Sequence, residues 1–404
     1  MAPKLRPKRA IAAIDPVASF LKAEEGGGFA LLIGSVAALL WVNLLGIGGY
    51  ESFWHTELTL GVGGLSITED LGHWVNDGLM TLFFFLISLE IKREVTHGDL
   101  RHPRQAALPV VAATGGVLLP VLIYLAATAG PGAGAGWGIP MATDAAFAIA
   151  AMALLGDRVG VGAKLFLVTI AVVDDVLAIA VIAIAYTSEL SLPWLVVAVA
   201  LLLVTVMMRR LGIVRIWPYA IVGVLVWIAV LESGVHATIA GVALALMTPA
   251  HPVGGRRVLE ELEERIHPWT SFLILPVFAL ANAGIEIGGD ALGHGDGAAA
   301  ALAVALGLIV GKLVGIAAAS LVAVRTGLGV LPAGVDRRSV VGIAALAGIG
   351  FTVSLFIAAL AFDDPLLTEA AKLGVLGGSI VSAAIGVAIL AAGGRHPSRE
   401  PPAA

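Results

Sequence analysis

Two adjacent aspartates, Asp174 and Asp175, lie in the middle of residues 165–186, where every other side chain is apolar or uncharged. The run is long enough to cross a bilayer as a helix, which takes roughly 20 residues. An ionised aspartate at the centre of such a helix costs roughly 2.5–3.5 kcal/mol on insertion scales. Carboxylates in this position normally face a bundle interior or a watery cavity and mark ion or proton pathways. The pair therefore predicts an ion site, and the alternative is a soluble core helix with salt-bridged carboxylates.

Composition decides between these two interpretations. The chain is 59% apolar and 13% charged, with a mean hydropathy of +0.97, whereas soluble domains carry about 25% charged residues. The sequence therefore predicts a polytopic membrane protein. The absence of cysteine excludes disulfides and thiolate metal sites. No GxxxxGK[ST] motif is present, which argues against ATP drive. No cofactor, enzymatic activity or nucleic-acid partner is expected.

Apolar segments predict an all-α fold of twelve transmembrane helices. They lie at 27–46, 71–91, 105–127, 138–155, 164–187, 193–209, 216–232, 235–250, 268–286, 298–324, 338–361 and 369–392. Lysine and arginine cluster at the N-terminus and after each even-numbered segment up to the tenth, with Lys372 as the clear exception. By the positive-inside rule both termini are cytoplasmic.

Three parts of the chain are expected. Residues 1–26 form a cytoplasmic tail with a short interfacial helix after Asp15-Pro16, 27–392 form the membrane domain, and 393–404 form a cytoplasmic tail. Within the membrane domain, residues 54–68 read as a small extracytoplasmic β-hairpin around Gly61–Gly64, or else as an irregular loop. An exposed hairpin edge is able to pair with a second copy of the chain.

Glycines mark both the fourth and the eleventh segment. Gly132, Gly134, Gly136 and Gly138 lead into the fourth, which also contains Pro140, and the eleventh contains Gly342, Gly348 and Gly350 before Thr352. Interrupted segments at matching places in two halves indicate discontinuous helices around a transport site. The fourth segment then reaches Thr143 and Asp144, which adds a hydroxyl and a carboxylate at the interruption. We therefore predict that both interruptions lie at the ion site.

The ionisable residues deep in the predicted spans are few. They are Asp77, Asp144, Asp174, Asp175 and Lys312. Successive residues on a helix point about 100° apart, so one aspartate of the pair is expected to line the ion pathway and the other to meet a partner. Lys312 is either a salt-bridge strut or a protonatable transport residue. Asp77 is either an accessory transport residue or a satisfied polar group near the outer end.

Carboxylates together with the Thr143 hydroxyl form an oxygen-rich set that suits a hard monovalent cation. Protons compete for the same oxygens, because a carboxylate that holds a proton no longer attracts the cation. Such competition, with access to one side at a time, is the minimal chemistry of an antiporter.

Several stretches resemble the NhaA-type sodium/proton antiporters, in order along nearly the whole chain. They are residues 74–94, 139–148 (IPMATDAAFA), 165–180 (LFLVTIAVVDDVLAIA), 233–242, 267–284, 311–317 and 348–362. The resemblance implies inverted repeats, spans 3–5 and 10–12, whose interrupted spans 4 and 11 cross near the ion site. It also implies electrogenic exchange of cytoplasmic Na+ or Li+ for more numerous external protons, switched on at alkaline pH, in the bacterial inner membrane.

The resemblance assigns roles by position. Asp175 is the more direct Na+ ligand, Asp174 shares ion and proton binding, Thr143 and Asp144 support them, and Lys312 pairs with Asp174 or carries a proton. A homodimer through the 54–68 hairpin is also implied. The pH-response residues implied by the resemblance are Glu90, Arg93, Glu94, His236 and Glu263.

The residues themselves leave simpler interpretations open for the pH-response set. Glu90, Arg93 and Glu94 also fit an ordinary solvated helix end, and His236 fits a satisfied group at the end of a span. Leu177 and Ser88 stand where the family commonly has glycine, so selectivity and pH set-point transfer less directly than the reaction.

Three rival functions remain at this stage. A sodium-coupled solute symporter would need a pocket for an organic substrate. An intramembrane aspartyl hydrolase would carry its catalytic aspartate in a GxGD motif within a span, and neither Asp174 nor Asp175 lies in one. A passive cation channel would conduct without coupling Na+ to protons.

Overall fold

The computed structural model describes residues 15–62, 65–128, 132–187, 190–213, 215–288, 290–293 and 295–392. The basic residues before Asp15 and the C-terminal tail lie outside the described residues. The helices are α1 (Asp15–Leu40), α2 (Ile47–Trp54), α3 (Leu71–His73), α4 (Met80–Thr96), α5 (Pro103–Ala127), α6 (Ala145–Ala153), α7 (Val161–Ala185), α8 (Leu192–Arg210), α9 (Ile216–Leu231), α10 (Thr238–Met247), α11 (Val258–Trp269), α12 (Leu275–Asn282), α13 (Gly297–Leu306), α14 (Lys312–Arg325), α15 (Arg337–Leu346), α16 (Phe351–Ala361) and α17 (Pro365–Ala391).

Short segments of other helix types join or extend these helices. The π-helical turns are Trp41–Leu45, Trp74–Leu79, Thr270–Ile274 and Gly307–Gly311, and the 3₁₀ segments are Asp99–Arg101, Ala133–Met141, Gly156–Arg158 and Asp290–Leu292. Because of the π turns, α3 and α4 form one continuous span, as do α13 and α14. Together with the other long apolar helices, these continuous spans make the chain a multi-pass, mostly helical membrane protein.

By length and apolar composition, seven helices among the described residues are able to cross a membrane, or eight if the bent pair α15 and α16 counts as one span. Each of the twelve predicted segments contains helical structure. This number is smaller than twelve because α9 and α10 are short and the fourth segment is partly 3₁₀ helix. The ninth segment also continues from α11, which is strongly charged.

The N-terminal interfacial helix does not form a separate element, because α1 runs without interruption from Asp15 to Leu40. Its glycines allow close packing rather than ending the helix. A Cβ on Gly28 would lie 2.5 Å from the carbonyl oxygen of Ala146 in α6. This contact places the N-terminal half of α1 directly beside the interrupted fourth segment.

The predicted hairpin is present, with corrected boundaries. Strands β1 (Glu57–Val62) and β2 (Leu65–Asp70) pair antiparallel, with Val62 opposite Leu65. Trp54 is not part of the first strand, because it ends α2. The side chains of Thr59 and Thr68 hydrogen bond across the pair at 2.9 Å. The turn residues 63–64 lie outside the described part of the chain.

Helices α5 and α14 approach so closely that only glycine fits at their contact. A Cβ on Gly315 would lie 2.2 Å from the carbonyl oxygen of Gly115, and the reverse substitution meets the same obstacle at 2.4 Å. Small residues at helix contacts are a common packing device in membranes. Since Lys312 lies one turn before Gly315, the contact brings the lysine into the interior of the bundle, where it is fully buried.

Candidate ion site

The interruptions in the fourth and eleventh segments lie against each other. Residues 142–144 are extended between the 3₁₀ segment and α6, and residues 347–350 separate α15 from α16, which are bent by 43°. The Asp144 amide donates to the carbonyl of Ile349 (2.6 Å), and the Ser354 hydroxyl donates to the carbonyl of Ile139 (2.6 Å). Backbone groups left free by each interruption therefore find partners in the other.

Asp144 joins the two interruptions through its side chain. Its Oδ1 accepts a hydrogen bond from the Phe147 amide (3.0 Å) and so caps α6. Its Oδ2 accepts from the Thr352 amide (3.0 Å) and hydroxyl (2.8 Å) at the start of α16. A carboxylate at the N-terminus of a helix also interacts favourably with the helix dipole. Asp144 is thus fully hydrogen-bonded and buried.

We expect Asp144→Ala to lower the melting temperature of the purified protein in detergent. The substitution removes the cap of α6 and leaves the Thr352 amide buried without an acceptor, together worth about 1–3 kcal/mol. Asp144→Asn is the matched control, since its amide oxygen still caps α6 and it should melt between the wild type and Asp144→Ala. Equal melting temperatures for all three proteins would contradict this role.

Asp174 lies in a buried network with Lys312 and Thr143. Lys312 Nζ lies 2.6 Å from Asp174 Oδ2 and 3.1 Å from Thr143 Oγ1, and both ionic side chains are 0% exposed. The Thr143 hydroxyl has one proton to share between Asp174 Oδ2 (2.6 Å) and the carbonyl of Ala347 (2.9 Å). The network therefore links α7, α14 and both interruptions. Asp174 Oδ1 is buried and has no partner among the described residues.

Asp175 points elsewhere, as the 100° step along α7 predicts. Its side chain lines a cavity of about 70 Å³ together with Thr143, Asp144 and Thr352. A cavity needs roughly 10–15 Å³ for each water it holds, so this one has room for a few waters or a partly hydrated ion. No hydrogen bond or ion pair reaches the Asp175 carboxylate from the described part of the chain. Asp175 is 8% exposed and therefore retains access to the cavity.

The predicted pH-response residues lie in two places. Glu90 lines the same cavity as Asp175. Arg93 forms an ion pair with Glu263 of α11 and approaches Glu94 at 3.6 Å. His236 is separate from this group, because its ring contacts the carbonyl of Tyr186 and it does not line the cavity.

Asp77 is also away from the cavity. It lies in the π-helical turn before α4, where its carbonyl oxygen accepts hydrogen bonds from Thr81 (2.5 Å) and Trp227 (2.8 Å). The structure therefore does not bring Asp77 together with the aspartate pair.

Three residues outside the predicted site belong to it by position. Glu24 and Thr270 line the cavity, and Thr352 binds Asp144. The sequence places Glu24 in the N-terminal tail, because this residue precedes the first apolar run. In the sequence Thr352 directly follows the glycines of the eleventh segment, but only the fold shows that its hydroxyl meets Asp144.

Comparison with known proteins agrees with the resemblance. Residues 18–390 match the model of the family described as Na+/H+ antiporter 1. The chain is 45% identical over 373 residues to a protein named Na(+)/H(+) antiporter NhaA from Shewanella loihica, covering 92% of this chain and 95% of the relative. It is 46% identical over 380 residues to Na(+)/H(+) antiporter NhaA 2 from Erythrobacter litoralis, covering 94% of each.

Proposed function

This chain belongs to the Na+/H+ antiporter 1 family, and we propose that it expels cytoplasmic Na+ or Li+ in exchange for a larger number of external protons. The family is one of transporters, so no chemical conversion is proposed. The protein binds its transported ions at the aspartate site and exposes that site alternately to the two sides of the membrane.

The observation that carries the proposal is the different environment of the two neighbouring aspartates. Asp174 is neutralised by Lys312, whereas Asp175 has no protein partner in the described residues and faces the cavity. A carboxylate in such a position binds either a proton or a small cation, because the two compete for the same oxygens. Asp175 is then the direct Na+ ligand, and oxygens of Thr143 and Asp144 complete or support its coordination.

Electrogenic exchange needs more than one proton-binding group for each Na+. We assign the second to the buried pair of Asp174 and Lys312. The Thr143 hydroxyl connects this pair to the interruption of the fourth segment, because it contacts both Asp174 and Lys312. When Na+ binds, a shift of Asp174 towards the ion would weaken its contact with Lys312 and release the lysine proton. Lys312 would then be both a strut and a proton carrier.

The proposed membrane arrangement is supported by the same family membership. We propose twelve spans with both termini in the cytoplasm of a bacterium, and inverted repeats formed by spans 3–5 and 10–12 that cross at the two interruptions. The hairpin of β1 and β2 would mediate a homodimer. Leu58 and Leu60 of β1 are 40% and 52% exposed, and a two-stranded sheet leaves both edges free for pairing.

Proteoliposomes that contain only this protein test the function. With an internal pH dye and an imposed pH gradient, addition of Na+ or Li+ should collapse the gradient without any added solute. Clamping the membrane potential with valinomycin and K+ should speed the exchange if it is electrogenic. Proton movement that requires an organic solute would favour the symporter, cation flux without proton movement the channel, and peptide cleavage without ion flux the hydrolase.

We place the pH response at the ion pair between Arg93 and Glu263. Glu263 lies in α11, ahead of the span predicted at 268–286, and is buried. Burial raises the pKa of Glu263 above its usual value, although Arg93 and His267 oppose this and Glu260 and Glu94 add to it. As the pH rises, Glu263 loses its proton and its ion pair with Arg93 becomes stronger.

We therefore expect Glu263→Gln to change the pH profile of exchange more than its maximal rate. The glutamine keeps the size of the side chain but no longer titrates, so the step that depends on Glu263 disappears from the profile. The measurement is exchange rate against pH between about 6 and 9. Glu264→Gln, at the exposed neighbouring position, is the control, and identical profiles for both variants and the wild type would contradict the assignment.

A further inference from the structure

Two carboxylates and one imidazole from three different helices meet beside the cavity. Glu24 of α1, Glu90 of α4 and His267 of α11 have ligand atoms that all lie within 4.8 Å of one another. Glu24 Oε1 lies 2.8 Å from His267 Nε2. We propose that these three side chains form a binding site for a divalent transition-metal ion of the zinc class, distinct from the transported alkali ion.

The donor set and its spacing suit this class of metal. Imidazole nitrogen favours Zn²⁺ and similar ions, while the harder Mg²⁺ and Ca²⁺ favour sets made only of oxygen. Zinc bonds of 2.0–2.2 Å place neighbouring ligand atoms about 3.3 Å apart in a tetrahedron. The ligand atoms of the cluster, all within 4.8 Å of one another, would have to close to this spacing when the metal binds. Three protein ligands leave one position for water, as in zinc sites that keep an open coordination position.

Thr270 gives an independent indication of a ligand. Its side chain is 2% exposed and lines the same cavity, yet its hydroxyl has no hydrogen-bond partner among the described residues. A threonine inside a helix normally donates to a backbone carbonyl one turn earlier. A water bound to the metal would supply the missing partner.

The charges of the two carboxylates also favour binding of a divalent metal ion at this site. Glu24 and Glu90 bring two carboxylates close together in a partly buried position, and in the described residues no hydrogen bond reaches the Glu90 carboxylate. Two like charges this close are unfavourable unless a proton or a cation lies between them. A divalent ion neutralises both carboxylates at once, while His267 provides the nitrogen ligand.

The position of the site predicts a consequence that rests on the proposed function. Glu24 and Glu90 line the cavity to which Asp175 is exposed, so a bound metal ion would place two positive charges beside the route of Na+. Zinc should therefore inhibit exchange. Metal binding itself does not depend on transport and is tested separately.

The binding test uses the purified full-length protein without a polyhistidine tag. Co²⁺ is titrated while its visible absorption is recorded, and Zn²⁺ is then added to displace it. We expect one tight site in the wild type, weakened at least tenfold in Glu24→Gln and in His267→Gln, since even groups that only orient a metal ligand contribute about 10–100-fold to affinity. His251→Gln, at an exposed histidine outside the cluster, is the matched control and should bind like the wild type.

No Co²⁺ binding by the wild type, or equal affinity in all four proteins, would overturn the site. Melting temperatures without metal show whether each variant is folded, and the two ligand variants provide independent tests. In proteoliposomes, the Zn²⁺ concentration for half inhibition of Na+-driven exchange should rise at least tenfold in His267→Gln but not in His251→Gln. Zinc binding without inhibition would overturn the blocking effect alone, and absence of exchange in zinc-free wild type would instead contradict the proposed function.

Discussion

Asp175→Asn is expected to abolish Na+-dependent proton movement while leaving the protein folded. The Asp175 carboxylate has no hydrogen-bond or ion-pair partner among the described residues, so asparagine removes no contact that stabilises the fold. It does remove the negative charge for which Na+ and the proton compete. Without that charge the amide oxygen remains a weak ligand, and no proton is released when the cation arrives. We expect at least a hundredfold loss of exchange, equivalent to about 2.7 kcal/mol.

Two further variants make this test specific. Asp175→Glu keeps the charge on a longer side chain and should retain measurable exchange with a changed apparent KM for Na+. Asp363→Asn makes the same chemical change at an exposed residue between α16 and α17 and should behave like the wild type. Asp175→Asn with wild-type exchange and an unchanged apparent KM would contradict the role of Asp175 as the ion ligand.

Much of the site was predictable from sequence because carboxylates in a spanning segment are costly and therefore informative. The adjacency of Asp174 and Asp175 also predicted that they would face different surroundings, because a helix turns about 100° per residue. The glycine-rich fourth and eleventh segments predicted that two helices would be interrupted. These inferences depend only on local geometry and on the cost of burying charge.

The remaining features depend on contacts between residues that are distant in the chain. Gly28 lies one turn after Glu24, but the sequence does not indicate that this glycine lets α1 approach Ala146 of α6. The partnership of Asp144 with Thr352 likewise joins residues 208 positions apart. The proposed twelve spans exceed the seven or eight helices of the described residues that are long and apolar enough to cross a membrane, partly because α9 and α10 are short. The depth of Asp77 in a predicted span makes it a candidate for the site, but depth alone does not determine which way a side chain points.

Lys312→Met is expected to destabilise the protein strongly. The substitution leaves Asp174 fully buried without its counter-ion, and removal of one partner from a buried pair typically costs about 3–5 kcal/mol. Methionine retains the unbranched stem and approximate length of lysine, so packing against α5 near Gly116 is preserved. The loss should appear as a lower melting temperature and a lower midpoint in chemical unfolding. An unchanged melting temperature would contradict the pairing with Asp174.

The double variant Asp174→Asn/Lys312→Met separates the structural role of the pair from its role in proton transfer. Removing both charges together abolishes the uncompensated charge, and replacement of a buried ion pair by neutral groups is often neutral or stabilising. The double variant should therefore recover most of the stability lost in Lys312→Met. If the pair also carries a transported proton, as we propose, the double variant will be folded but will not support electrogenic exchange. Electrogenic exchange at the wild-type rate in this stable double variant would limit Lys312 to a structural strut and leave Asp175 as the proton-binding group.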